Sequence, residues 1–301
     1  MSNIDVVIPT TATRDKAATI WRAIASVHAQ SGVRAQAHVV VNGTSFDPGL
    51  VAGLRDDPRI RVSQLPEASM PRALFHGRQC VTGEYFAFLD DDDEFLIDGL
   101  QHRTAVLDAR HDCAFVIANG VFNVAGVEQL VVSDARRIAA DPLGTLADYN
   151  WICTSASGLY RASMVGPETF KDMPKYLEWT YLGFRLLTVS PFQFIEEPGY
   201  RKHELDSSLS RSAAFRQGMV ESMQAVLALP LPAVARRAMR KKLSAAHHAQ
   251  AQSELEAGRR SNAARHHFAS LALPGGLRYL TFSRYLLLPT RAIAVRNLSG
   301  P

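Results

Sequence analysis

Four consecutive aspartates and a glutamate, Asp90-Asp91-Asp92-Asp93-Glu94, follow directly on the apolar run Phe86-Ala87-Phe88-Leu89. Carboxylates crowded this closely repel one another unless something positive neutralises them. A hard divalent cation, Mn²⁺ or Mg²⁺, shared with phosphate oxygens is the natural partner. The bland alternative is a solvated acidic turn that caps a following helix, because Asp is a favoured N-cap and stabilises a first helical turn.

The elements around the run bear on this choice. Phe86 to Leu89 has the length and composition of a strand buried on both faces, as in a parallel sheet. Open α/β sheets bind ligands outside the carboxyl ends of such strands. Upstream, Ile4 to Thr11 reads as a first strand, stopped by Pro9 and the polar residues after it. Ala17, Ile20, Trp21, Ile24 and Val27 fall at helical spacing within Lys16–Gln30. Ala37–Val41 and Arg59–Val62 read as strands, and Pro71–Val81 as a helix beginning at its proline. Downstream, Leu96–Ala109 reads as a helix, then Ala114–Ala118, Val121–Val124 and Gln129–Val132 as separate strands. Ser157–Arg161 reads as a strand leading into a helix near Ala162, Tyr176–Val189 as a helix and Phe192–Ile195 as a short last strand. Alternating strands and helices predict an α/β fold with a parallel sheet. From about Ala213 the pattern is helical only, near 213–228, 233–257, 260–272 and 276–287.

The 301 residues suffice for one large domain or for a domain plus an appendage. At 47% hydrophobic and 21% charged, the chain is globular and not disordered. Cys80, Cys113 and Cys153 are widely separated, so neither a disulfide framework nor a zinc site is expected, which favours a reducing cytosol. No signal peptide is expected, and no run of about 18 apolar residues indicates a transmembrane helix. The net charge of +4 is unevenly spread: residues 213–301 hold 13 Arg and Lys against 3 Glu, or +10, and residues 1–212 carry −6. We therefore expect two units, 1–212 and 213–301.

In this order, several pieces resemble the family-2 inverting glycosyltransferases. They are Val6-Val7-Ile8-Pro9-Thr10, Ser26-Val27 with Gln30, Val39 to Thr44, Gly77, Gly83 to Asp93, and Tyr200 to His203 followed by Ser207, Ser208 and Ser210. The resemblance covers roughly residues 3–212. It implies a GT-A, Rossmann-like, mostly parallel sheet flanked by helices, followed here by an all-helical appendage. It also implies a metal-dependent enzyme that moves a sugar from a nucleoside-diphosphate donor, UDP first among them, to a glycan or lipid-linked acceptor in surface polysaccharide synthesis. Three places depart from the family pattern. Val41-Asn42 replaces an aspartate pair, Leu74-Phe75 replaces an Arg-Asn with Arg72 nearby, and Glu178-Trp179 replaces a Glu-Asp.

The resemblance assigns roles residue by residue. Asp90 and Asp92 form its DxD motif, with Asp92 the direct metal ligand and Asp91 or Asp90 reaching ribose or sugar. Asp93 and Glu94 are left mainly to solvation or capping. His203 completes the metal shell or meets a phosphate, although a lone His is more often an ordinary surface residue. Pro9, Thr10, Thr11 and Asn42 line the nucleotide pocket, and Arg72 pairs with phosphate or base. Counted back from Arg185, the catalytic base position falls on Trp179. A shift of one residue puts it on Glu178, which is preferred because an indole cannot accept a proton. Trp151 and Trp179 either stack on sugar rings or are buried, the commoner fate.

Two other readings compete. An aspartyl phosphohydrolase would want Asp-x-Asp followed by Thr or Val near the first strand, which this chain lacks. A degenerate nucleotide-sugar or glycan-binding subunit would fit the altered base position. In the basic region, Arg236 to Lys242 alternates with Val234, Ala235, Met239 and Leu243, a pattern suited either to an anionic membrane or to a solvated helix face. No nucleic-acid motif accompanies the charge, so no nucleic acid is expected. The expected location is cytoplasmic, either free or peripheral on the inner face of the membrane.

Overall fold

The computed structural model describes residues 1–124, 126–152, 154–203 and 213–287. Cys153, Ser207, Ser208 and Ser210 lie outside these. The chain divides into two compact units, Met1–Asp206 and Ser207–Pro301.

The first unit begins with β1 (Asn3–Thr10), α1 (Ala17–His28), β2 (Arg34–Asn42), α2 (Pro48–Asp56), β3 (Ile60–Leu65), α3 (Met70–Gln79) and β4 (Tyr85–Phe88). It continues through β5 (Glu94–Phe95), α4 (Gly99–Ala109), β6 (Phe115–Val124), β7 (Val127–Leu130), α5 (Arg136–Ala140) and α6 (Pro142–Asp148). Then come β8 (Gly158–Arg161), α7 (Glu178–Leu187) and β9 (Phe192–His203). The strands form one sheet in the order β3-β2-β1-β4-β8-β6-β9-β5, with β7 on β6. The first four strands pair in parallel, whereas β8 runs antiparallel to both β4 and β6.

The parallel half positions the site. The chain moves outward through β1, β2 and β3, then returns past both through α3 to lay β4 on the other side of β1. Crossovers of this kind are right-handed, so α3 lies on the face opposite α1 and α2. The reversal makes the carboxyl ends of β1 and β4 a topological switch point, where a crevice opens. Helix α3 sits close against β1 because residue 77 is glycine, where a Cβ would meet Val7 Cγ1 at 2.3 Å. Ile4, Val6, Val7, Ile8 and Phe86 to Leu89 are buried at 1% exposure or less and form the core beneath this edge.

The structure differs from the sequence expectation in several elements. Ala114–Ala118 and Val121–Val124 belong to one strand, β6. The last strand, β9, has 12 residues and reaches His203. The segment directly after Ala162 is not an α-helix; a 3-10 turn at Pro167–Phe170 comes instead.

The second unit contains α8 (Ala213–Ala228), α9 (Ala233–Glu256), α10 (Arg260–Leu271), a 3-10 helix at Gly276–Phe282 and α11 (Ser283–Leu287). Helices α9 and α10 share a polar seam. Ser244 donates to Ser270 O at 2.9 Å, and His247 Nδ1 meets His266 Nδ1 at 3.0 Å. Ala251, Leu255, Ala263 and Phe282 form an apolar cluster beside it. Most of the apolar residues alternating with the basic run are spent on packing: Ala235, Met239 and Leu243 are buried while Val234 stays 70% exposed, and Arg236 donates to Leu227 O and Leu229 O at the end of α8. Of that stripe only Val234 remains at the surface. No described helix is long and apolar enough to cross one.

Candidate active site

The acidic run is a loop, not a helix cap. Leu89 N–H still bonds Val7 O at 3.0 Å; then Asp93 N–H turns back to Asp90 O, and Glu94 enters β5. The following helix, α4, takes Asp98 as its N-cap residue. Three neighbouring segments fix the loop. From the end of β1, Thr10 Oγ1 donates to Asp91 Oδ2 at 2.5 Å. From the turn before α1, Lys16 Nζ lies 2.6 Å from Asp91 Oδ1 and 2.8 Å from Oδ2. From α1 itself, Arg22 Nη2 donates to Asp92 O at 2.5 Å. Burial opposes the Lys16 charge, but Asp91, with Asp92 and Asp90 behind it, raises the Lys16 pKa overall.

With Asp91 committed to Lys16 and Thr10, the other three aspartates turn together. One oxygen from each of Asp90, Asp92 and Asp93 lies within 4.8 Å of the others. Asp93, which the sequence pattern left to solvation or capping, is 1% exposed and belongs to this group. Thr154 Oγ1 donates to Asp93 Oδ2 at 2.9 Å, and His203 N–H to Asp93 Oδ1 at 3.1 Å. Asp93 thus ties the loop to the end of β9. Asp90 Oδ1 is buried with no hydrogen-bond partner; the Ser155 hydroxyl tempers its charge without a well-aligned bond.

Desolvation is the main electrostatic fact here. It pushes Asp92 up to about 6, with the charges of Asp90 and Asp91 adding to it. It raises Asp90 and Asp93 as well, and Lys202 partly offsets the rise in both. A buried carboxylate oxygen with no partner among three mutually repelling carboxylates is costly unless a cation is supplied. The donors are all hard oxygens, so the group fits a divalent cation of the Mg²⁺ or Mn²⁺ kind.

The remaining expected residues fall at the same edge with different engagements. Pro9 and Thr10 are buried at the end of β1, and Thr11 is half-buried. The Thr10 hydroxyl also accepts from Ala12 N–H at 2.9 Å, and Ala12, fully buried, adopts a left-handed φ of 48°. Asn42 Nδ2 donates to Thr10 O at 3.0 Å, joining the ends of β2 and β1. Arg72, in the first turn of α3, is exposed and pairs with Glu67. The His203 ring stands at the rim, where Nε2 meets Glu94 Oε1 at 3.0 Å. Arg201 Nη1 reaches the same Glu94 oxygen at 2.9 Å. Burial works against the Glu94 charge, but the bonds from Arg201 and His203 hold its pKa below the ordinary value.

Glu178 opens α7. Burial raises its pKa and the Asp90 charge adds to the rise, while backbone N–H groups at Glu178 and Tyr176 pull it down. The carboxyl group therefore senses the acidic cluster. Trp179 packs its ring on Phe88, centroids 5.6 Å apart. Trp151 is 1% exposed and stacks on Phe192, so it is a core residue.

Lys16, Arg22 and Thr154 carry no motif and are visible only in three dimensions. The same holds for Arg103, a fully buried cation that donates to Gly99 O, Ala156 O and Gly199 O. It joins α4, the segment after Thr154 and β9 behind the site. Burial pulls its pKa down to about 10.

Comparison with known proteins agrees with this architecture. The family model described as Glycosyl transferase family 2 matches residues 5–161. A search of curated proteins finds no match. Among solved structures, S. aureus TarS 1–349 in complex with UDP-GlcNAc is similar, with a TM-score of 0.57 and 17% identity over 89% of this chain and 81% of that one. A longer S. aureus TarS structure gives a TM-score of 0.51 and 17% identity, over 80% of this chain and 43% of that one. The UDP complex of S. aureus TarS 1–349 gives 0.50 and 16%, over 82% and 71%. At these identities the likeness is one of fold, the GT-A sheet with its flanking helices. With a family match over half its length and an acidic loop at the switch point, this chain belongs to glycosyl transferase family 2.

Proposed function

We propose that this glycosyltransferase moves a sugar from a UDP-sugar to a hydroxyl of a glycan or lipid-linked acceptor, with inversion at the anomeric carbon, in surface polysaccharide synthesis. The observation that carries the reading is the convergence of Asp90, Asp92 and Asp93 at the end of β4, with Asp90 Oδ1 buried and unpartnered. The uridine nucleotide in the TarS complexes supports the choice of donor.

Asp92, with Asp90 beside it, would hold Mn²⁺ or Mg²⁺. When bound, such an ion neutralises charge gathering on the leaving diphosphate. Pro9, Thr10, Thr11 and Asn42 would border the nucleoside, and Asp91, held by Lys16, would keep Thr10 in place. Arg72 would meet phosphate or base after leaving Glu67, and His203 would complete the shell or meet a phosphate after leaving Glu94. Glu178 would take the proton from the acceptor hydroxyl as its oxygen bonds to the anomeric carbon. The carbon–oxygen bond to phosphate then breaks, and its electron pair leaves with the diphosphate. We place the protein peripherally on the inner face of the membrane, where a lipid-linked acceptor would be met.

Calorimetry against UDP, GDP and ADP, each with and without Mn²⁺, tests the donor and metal. UDP should bind best and only with the ion, and Asp92→Ala should abolish that dependence while leaving the circular dichroism unchanged. Undiminished Mn²⁺-dependent UDP affinity in Asp92→Ala would remove the assignment.

A further inference from the structure

The second unit carries an exposed apolar face on a short helix. Gly276–Phe282 winds as a 3-10 helix, whose three residues per turn create faces that repeat every third position. One face is inward: Gly276 and Phe282 are buried, and Tyr279 stacks on His248 with centroids 3.9 Å apart. A second face carries Arg278 and Thr281, both exposed. The third carries Leu277 and Leu280, 75% and 55% exposed. In α11, Leu287 is 85% exposed.

A single exposed leucine needs no explanation. Two stacked on one outer face, with a third exposed on the next helix, do, and their surroundings point to an occupant. From Ala257 to Pro301 the chain has seven arginines and no Asp or Glu. Arg278 lies 4.6 Å over the Tyr279 ring, and Arg284 lies 4.7 Å over Tyr285. Lys241 of α9 reaches the start of the segment, where a Cβ on Gly275 would meet its Cγ at 3.3 Å. Leucines flanked by cations and by tyrosines, with no carboxylate between them, match the boundary between acyl chains and anionic headgroups.

We propose that Leu277, Leu280 and Leu287, framed by Arg278, Arg284 and Lys241, form a docking face for an anionic phospholipid bilayer. The leucines enter the acyl boundary while the guanidinium and ammonium groups stay among the phosphates. The basic run of α9 adds mainly attraction, because Ala235, Met239 and Leu243 are already buried and only Val234 is exposed beside it. This deepens the peripheral placement given above, and it rests on that placement only for its purpose.

Full-length protein is co-sedimented with vesicles of phosphatidylcholine alone and of phosphatidylcholine with phosphatidylglycerol. Binding is expected to the second and not the first, and to weaken with salt. Leu277→Ser with Leu280→Ser should lower vesicle affinity by about tenfold or more. Arg278→Gln with Arg284→Gln should lower it and flatten the salt dependence, whereas Arg237→Gln with Arg240→Gln on α9 should cost less than the leucine pair. Protein that stays in the supernatant with both vesicles, or a leucine pair that binds like wild type, overturns the proposal. So does concentration-dependent self-association that the leucine pair abolishes, which would assign the face to a second copy. UDP titration with Mn²⁺ on the same variants should be unchanged, and its failure in wild type that still binds vesicles would sink the donor reading alone.

Discussion

At the scale of the residue, Glu178 and Asp92 make the sharpest claims. Glu178→Gln keeps the shape of the side chain and removes its basicity. Donor affinity should persist while transfer falls about 10²–10⁴-fold, the usual contribution of a positioned base. Near-normal single-turnover transfer would assign Glu178 to structure alone. Asp92 makes a claim about pH. Its folded value is about 6, above the roughly 3.9 of an exposed aspartate, so the folded state favours the protonated form. That contribution to stability is complete below the unfolded value and is lost as pH rises from about 4 through 6. Asp90 and Asp93 are raised too, Asp93 to about 8, and extend the same loss upward to about pH 8. Metal-free protein should therefore melt at lower temperature as pH climbs through this window, and Mn²⁺ should restore more at neutral pH than below the window. Asp92→Asn should flatten the metal-free profile between about pH 4 and 6 and leave the part due to Asp90 and Asp93, and an absence of any Mn²⁺ effect at neutral pH would argue against a cation among these carboxylates. The acidic run was legible because like charges in sequence are visible without a fold. Their sorting was not: Thr10 and Lys16, which draw Asp91 aside, are 81 and 75 residues distant from it.

At the scale of the element, α1 and the turn before it act as an anchor for the acidic loop through Lys16 and Arg22. Lys16→Met leaves the Asp91 carboxylate, 6% exposed, without its cation. With Lys16 itself 35% exposed, the cost should lie between those of exposed and fully buried pairs, about 1–3 kcal/mol. Urea denaturation measures it, and adding Asp91→Asn should recover most of the loss because position 91 then holds no unpaired charge. A Lys16→Met variant as stable as wild type would show that the pair is not an anchor. The strands of the parallel half were readable because each is a short apolar run ending in turn residues. Elements that use special residues were not. Asn119-Gly120 looks like a turn, but Asn119 bonds both Val132 N–H and Val132 O, while a Cβ at Gly120 would collide with the Tyr200 ring at 2.2 Å. Glu196-Glu197-Pro198-Gly199 looks like a break, yet β9 crosses it on a register shift opposite Ala118 and Asn119. Helix α2 was missed because it buries only Val51 and Leu54, too little apolar periodicity to notice, despite Asp47 and Pro48 at its start.

At the scale of the whole molecule, the charge separation was plain from counting, while the lipid-facing residues were not. The sequence pointed to Arg236–Lys242, where basic and apolar residues alternate; folding buries Ala235, Met239 and Leu243 of that stripe, leaving Val234 outside, and exposes Leu277, Leu280 and Leu287. Periodicity finds amphipathic helices, but it cannot say whether the apolar side meets protein or lipid. The division of labour this suggests has a kinetic consequence. Residues 213–301 carry +10 and residues 1–212 carry −6, so an anionic surface attracts the basic region and repels the rest. Each Lys or Arg near such a surface contributes on the order of 1 kcal/mol, and the attraction reaches only about 8 Å at physiological ionic strength. Transfer to an acceptor embedded in anionic vesicles should then show a KM that rises steeply with salt and a kcat that does not. Transfer to a water-soluble analogue of the same acceptor should be nearly indifferent to salt, since the reacting groups remain the same. Equal salt dependence with the two acceptors would place the electrostatic effect in donor binding, and the basic region would then have no part in bringing enzyme and acceptor together.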